Sequence, residues 1–112
     1  MSGAACTASA SLYSGRPDPE WPVDDARANA LERMWVALAP SSNGPRQAPP
    51  LGYRGCALRC NSGNIWHAYD GVATHRQGNG PPEHRIDRER RLEQALLDTA
   101  PPGTLPAGMR RL

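Results

Sequence analysis

The sequence predicts an α+β domain, a two-layer sandwich in which a short three-stranded sheet carries two helices on one face, in the order β-α-β-β-α. Three observations predict it. Residues 6–13 alternate small apolar and polar side chains with a period of two. Two further runs, 53–60 and 65–74, flank an Asn61-Ser62-Gly63-Asn64 turn, as hairpin strands do. Two stretches, 24–39 and 87–99, repeat apolar residues at helical spacing.

In the first strand Cys6, Ala8, Ala10 and Leu12 fall on one side, with Thr7, Ser9, Ser11 and Tyr13 on the other. Pro17, Pro19 and Pro22 end it, since proline suits neither a ladder nor a helix interior. Asp24 then stands where a carboxylate can accept from the free N–H groups of a helix's first turn. From there Leu31, Met34, Trp35 and Leu38 form an apolar stripe until Pro40 stops the helix, and residues 40–50 read as a surface loop. With Ser62-Gly63 at the hairpin tip, Cys60 pairs with Ile65, Leu58 with His67 and Cys56 with Tyr69 on one face, leaving Ala57, Arg59, Trp66 and Ala68 on the other. Residues 76–82 read as irregular. Asp87 can cap a second helix whose stripe is Leu92, Ala95, Leu96 and Thr99. A helix between the first strand and the hairpin suits a right-handed crossover. The sheet face away from the helices is then open and carries Tyr53, Arg59 and Trp66.

Composition bounds this reading. A chain of 112 residues holds one domain, expected over 6–100, with a disordered start at 1–5 and a loose tail at 101–112. Leu, Ile and Val number 15 and Phe is absent, below the level of about one fifth at which disorder competes; the small net charge of +2 and the local patterning favour folding. So thin a core would gain from forming a homodimer. All 13 basic residues are Arg, interspersed with 11 acidic ones, so no single-sign field develops and no nucleic-acid partner is expected. No stretch reaches the ~20 apolar residues of a membrane span, and no signal peptide is legible, which makes a cytoplasmic location the default. The alternative is a lipid-anchored or exported protein, should Gly3-Ala4-Ala5-Cys6 end a longer leader. Three cysteines, Cys6, Cys56 and Cys60, do not suggest a disulfide scaffold.

Two segments, Ser14-Gly15-Arg16-Pro17-Asp18-Pro19-Glu20-Trp21 and Leu51-Gly52-Tyr53-Arg54-Gly55, resemble a group of small uncharacterised bacterial proteins with an early S-G-R-P-[ND]-P-x-W and a central L-G-Y-R-G segment. The resemblance covers about residues 11–75, and Asp18 stands where Asn is more usual. It implies an ordered role for both loops and no activity.

Candidate chemistry divides three ways. Arg16 and Arg54, with Trp21 and Tyr53 as walls, could clamp an anion if both loops meet at one end of the sheet, or could tether the chain internally. Cys60 and His67, with His75 or His84, are the residues of ligand type for a metal, although Cys56 and Cys60 lie about 13 Å apart on an extended strand and Cys56 reads as a core residue. No nucleophile stands framed by glycines beside a base. The first functional reading is therefore a non-catalytic binding or accessory module that contacts a protein partner or its own copy, with no cofactor. The second is a metal-binding protein using Cys60 and His67. The third is a small enzyme or ligand-binding protein with an anion site at Arg16 and Arg54.

Overall fold

The computed structural model describes residues 5–12, 17–45, 47–48 and 52–106. Seven strands, β1 (Cys6–Ala10), β2 (Glu20–Val23), β3 (Ala39–Pro40), β4 (Cys56–Cys60), β5 (Asn64–Tyr69), β6 (Val72–Gln77) and β7 (Glu83–Ile86), form one antiparallel sheet in the order β2-β1-β4-β5-β6-β7-β3. Helix α1 (Asp25–Val36) and the shorter α2 (Arg91–Leu97), entered through a 3-10 turn at Arg88–Arg90, pack on one face. The α+β class and the one-sided helices stand. The three-stranded sheet and its parallel crossover do not: a seven-stranded antiparallel sheet replaces them.

Each difference has a local cause. The run 65–74 is not one strand, because Asp70 and Gly71, both at positive φ (50° and 93°), make a two-residue turn between Tyr69 and Val72. Asp-Gly is a strong signal for the turn type whose twist matches antiparallel strands. The first hairpin has a three-residue tip. Gly63 N–H donates to the Cys60 carbonyl at 3.0 Å, and Gly63 takes φ 94° to return the chain. One extra tip residue shifts the register so that Arg59 faces Ile65, Leu58 faces Trp66 and Ala57 faces His67. A one-residue shift moves every side chain of the partner strand to the other face. Trp66 therefore points inward, 8% exposed, and His67 and Ile65 lie on the outer face, the reverse of expectation.

Prolines mark the two sheet edges. Pro22 lies in β2 and Pro40 in β3, the outermost strands, where a missing N–H costs no ladder bond and blocks further pairing. That is why the proline-rich segment after β1 still supplies a strand.

The core compensates for few aliphatics by setting large side chains around small ones. Ala8, Ala10, Ala68 and Ala73 on the inner sheet face are at 0% exposure, and the large core side chains around them are Leu31 and Trp35 from α1, Leu92, Leu96 and Leu97 from α2, and Trp21, Leu58 and Trp66 from β2, β4 and β5. Small strand residues let the helices approach closely, and the alternation predicted for β1 holds as far as Ala10. Asp24 caps α1, its Oδ1 accepting from Arg27 N–H at 2.8 Å. The other end of α1 is held by β7: the Arg85 guanidinium donates to the carbonyls of Trp35 (2.9 Å) and Val36 (3.2 Å) while stacking 4.4 Å from the Trp35 ring centroid. A cation at a helix C-terminus is favourable. Asp87, 1% exposed, takes the N–H groups of Leu92 and Glu93 at 2.8 and 3.0 Å. It caps the second helix as predicted, across the inserted 3-10 turn.

Leu105 is buried in the core, so the chain past α2 is tied down at least that far. Residues 1–4 and 107–112, where a disordered start and part of a loose tail were expected, lie outside the described residues.

Candidate functional site

Among the described residues of the two recognised segments, Trp21, Tyr53 and Gly55 are absorbed by packing, whereas Pro17, Glu20 and Gly52 are exposed. Trp21 is 2% exposed, and its indole N–H donates to Thr99 Oγ1 at 2.8 Å, fastening edge strand β2 to the end of α2. Tyr53 donates its hydroxyl to Glu93, a residue of α2 at 0% exposure. The same Glu93 carboxyl group accepts from the Asp70 amide (3.0 Å), from Arg90 Nε (2.9 Å) and from a second Arg90 guanidinium nitrogen (3.0 Å). Four donors from three chain segments thus converge on one buried acid, and they lock α2 onto the β5–β6 turn. Burial, reinforced by Cys56 and Glu93, raises the Tyr53 pKa far above its ordinary range, so the phenol stays a donor at any physiological pH.

Gly55 also has a structural duty. Its φ is 106°, and a Cβ there would stand 2.7 Å from His67 Nε2 and 3.0 Å from the Ala68 carbonyl. Only glycine accommodates both the dihedral and the approach. Arg54 sends its backbone N–H to the Ser11 carbonyl at 2.8 Å, and its side chain is half-buried. Arg16 lies outside the described residues, together with 13–15. Of the four residues expected to form an anion clamp, Tyr53 and Trp21 are engaged by Glu93 and Thr99, and neither serves as a free wall.

The expected metal pair is not brought together. Cys60 is bonded to Cys6 in a disulfide joining directly opposed positions of β1 and β4. A disulfide sulfur is no thiolate ligand, and the Cys6 sulfur so engaged carries no lipid thioether. Cys60 follows the inner row of β4 while His67 stands on the outer row of β5. His75 faces inward, 2.8 Å from Asn64 Oδ1 and stacked beside Trp66 and Trp35 (centroids 4.9 and 5.7 Å); His84 is bonded to Thr74 at 2.9 Å. Among the described residues, no group of three or more His, Cys, Asp or Glu is placed to hold a metal ion. Cys56, the free thiol, is 1% exposed and its pKa is pushed upward by burial, the opposite of what a nucleophile needs.

Burial lowers the His67 pKa below the ordinary imidazole value. Above about pH 6.5 folded and unfolded chains both hold it neutral. Below that the unfolded chain binds a proton that the folded one resists, so stability falls as pH falls. Replacing His67 with Gln is expected to flatten the Tm-versus-pH curve between about pH 6.5 and 5.5 relative to the parent; an unchanged slope would contradict this placement of the ring.

Away from the helices lies the outer sheet face. One row across it runs Thr7, Arg59, Ile65 and Arg76, from β1 through β4 and β5 to β6. Thr7, Arg59 and Arg76 are exposed and Ile65 is half-buried between the two arginines. Neither guanidinium is paired with another described residue. A second row, Glu20, Ser9, Ala57, His67, Thr74 and His84, is more sheltered: Gly55 lies against His67, and Gly44 would touch the His84 ring with a Cβ at 3.4 Å. Arg59 was visible in the sequence as a residue of the open face. Arg76 and its relation to Arg59 were not, since they lie 17 positions apart in the chain and only the register joins them. No helix among the described residues is long and apolar enough to cross a membrane. In comparison with known protein families, curated proteins and solved structures, the chain matches none.

Proposed function

We propose that the chain is a non-catalytic binding module that contacts a protein partner through its outer sheet face. The observation carrying this reading is the exposed row of Thr7, Arg59 and Arg76 on a face that neither helix covers. The buried polar groups support it from the other side. Glu93, Asp87 and Trp21 are saturated by internal hydrogen bonds, as scaffold residues are. Proline at both edges disfavours partner binding by strand addition, which leaves the face as the recognition surface. The Cys6–Cys60 disulfide favours work in an oxidising compartment over the cytoplasm. Self-association through this face is the lesser reading, because two copies face to face would oppose arginines.

The test is a photo-crosslinking amino acid placed at Thr7 on the outer face and, separately, at exposed Ala26 on α1. Protein adducts from the Thr7 position but not from Ala26, in the cells that make the protein, are the expected result. Adducts from Ala26 alone would move the interface to the helical side.

A further inference from the structure

We propose that the Arg59–Ile65–Arg76 row is a docking strip for an acidic polypeptide segment in the polyproline II conformation. Its two carboxylates, three residues apart, would bond the two guanidinium groups, and an apolar residue between them would cover Ile65. This deepens, and rests on, the binding-module reading above.

The spacing carries the inference. Arg59 and Arg76 are both cross-strand partners of Ile65, one from each side, so two strand spacings separate them, about 9.6 Å. A polyproline II segment advances about 3.1 Å per residue with three residues per turn, so acidic side chains at positions i and i+3 share one edge about 9.3 Å apart, nearly the same interval. Both arginines are exposed and unpaired with any described residue, and a guanidinium matches a carboxylate in a two-bond fork. Isoleucine between them supplies apolar area that a purely ionic surface lacks.

Charge also sets the boundary. Glu20 stands on the same face in edge strand β2, beyond Ser9, and repels an acidic segment from that side. The segment is thereby confined to β4, β5 and β6. On the β7 side Thr74 and His84 bond each other and offer no competing site. A nucleic acid fits less well. Phosphate binding gains strength from many cationic contacts, and this strip offers two, with an apolar residue between and a carboxylate at the margin.

The experiment uses the full chain with its disulfide intact and a fluorescein-labelled, end-capped peptide containing Glu-Val-Val-Glu, followed by fluorescence anisotropy at 50 mM and 300 mM salt. Saturable binding is expected, weakened at least tenfold by replacing both carboxylates with amides (Gln-Val-Val-Gln) and at least tenfold by the Arg59→Gln, Arg76→Gln double variant, whose Tm stays at the parent value. Higher salt should weaken it as well. No saturable binding by the parent, equal affinity for the amide peptide, or full affinity in the double variant would each overturn the proposal, as would tighter binding of a labelled single-stranded oligonucleotide. Crosslinking at Thr7 separates the two levels. Adducts that persist undiminished in the double variant would leave the binding-module reading standing and remove the acidic-segment inference; their loss there is the result expected.

Discussion

Replacing Trp35 with alanine is expected to destabilise the protein by roughly 3–5 kcal/mol, the range for truncating a buried aromatic. The side chain is 5% exposed and belongs to the core cluster. Its loss would do more than open a cavity. Arg85 stacks on the ring and His75 lies 5.7 Å from it, so both would lose the apolar surface that makes their inward placement tolerable. The bonds from Arg85 to the Trp35 and Val36 carbonyls are to backbone and survive in principle, but the arginine would be held less firmly. In thermal unfolding this corresponds to a fall in Tm of about 10 °C or more, at a few degrees per kcal/mol for a domain of this size. A Tm within 2–3 °C of the parent would show that α1 does not seat this face on the sheet.

Removing the disulfide is the second large effect. Cys6 and Cys60 are 54 residues apart in sequence, and the cross-link closes that length of chain in the unfolded state. On the chain-entropy account a loop of this size contributes about 4 kcal/mol, within the usual spread of 0–5. The Cys6→Ala, Cys60→Ala pair avoids leaving a lone thiol at the site. It is expected to lower the denaturant midpoint with little change in fold, because β1 and β4 keep their ladder from Thr7 to Ala10. Reductant added to the parent should reproduce the same loss. A parent protein whose midpoint ignores reductant, while the double variant is destabilised, would mean that packing of the two sulfurs is what matters.

Sequence pattern located the elements with strong local signals. Cys6, Ala8 and Ala10 alternate clearly, and Asp24 with Leu31 and Trp35 mark a capped amphipathic helix; all of these hold. The strand expected over 65–74 merged β5 with the first half of β6, and the rest of β6 and all of β7 were missed because their inner positions, His75, Glu83 and Arg85, show no apolar alternation to detect. His75 becomes acceptable there only beside Trp35 and Trp66, and Arg85 only at the end of α1. Asp70-Gly71 was a readable turn signal that lay inside an otherwise continuous strand pattern. Glu93 gave no signal of any kind, since a charged residue on a helix ordinarily faces water.

By itself, the sequence determined the quantities that depend on near neighbours: the α+β class, the capped first helix, the small-residue first strand, the existence of the β4–β5 hairpin and the exposure of Arg59. Tertiary structure alone decided the rest. It set the strand count, the inward turn of Trp66, the Cys6–Cys60 bond, the four donors on Glu93 and the placing of Arg59 and Arg76 on either side of Ile65. The physical reason is register. Strand pairing joins residues tens of positions apart, and a single residue more or less in a hairpin tip reverses which side chains meet the core and which meet a partner.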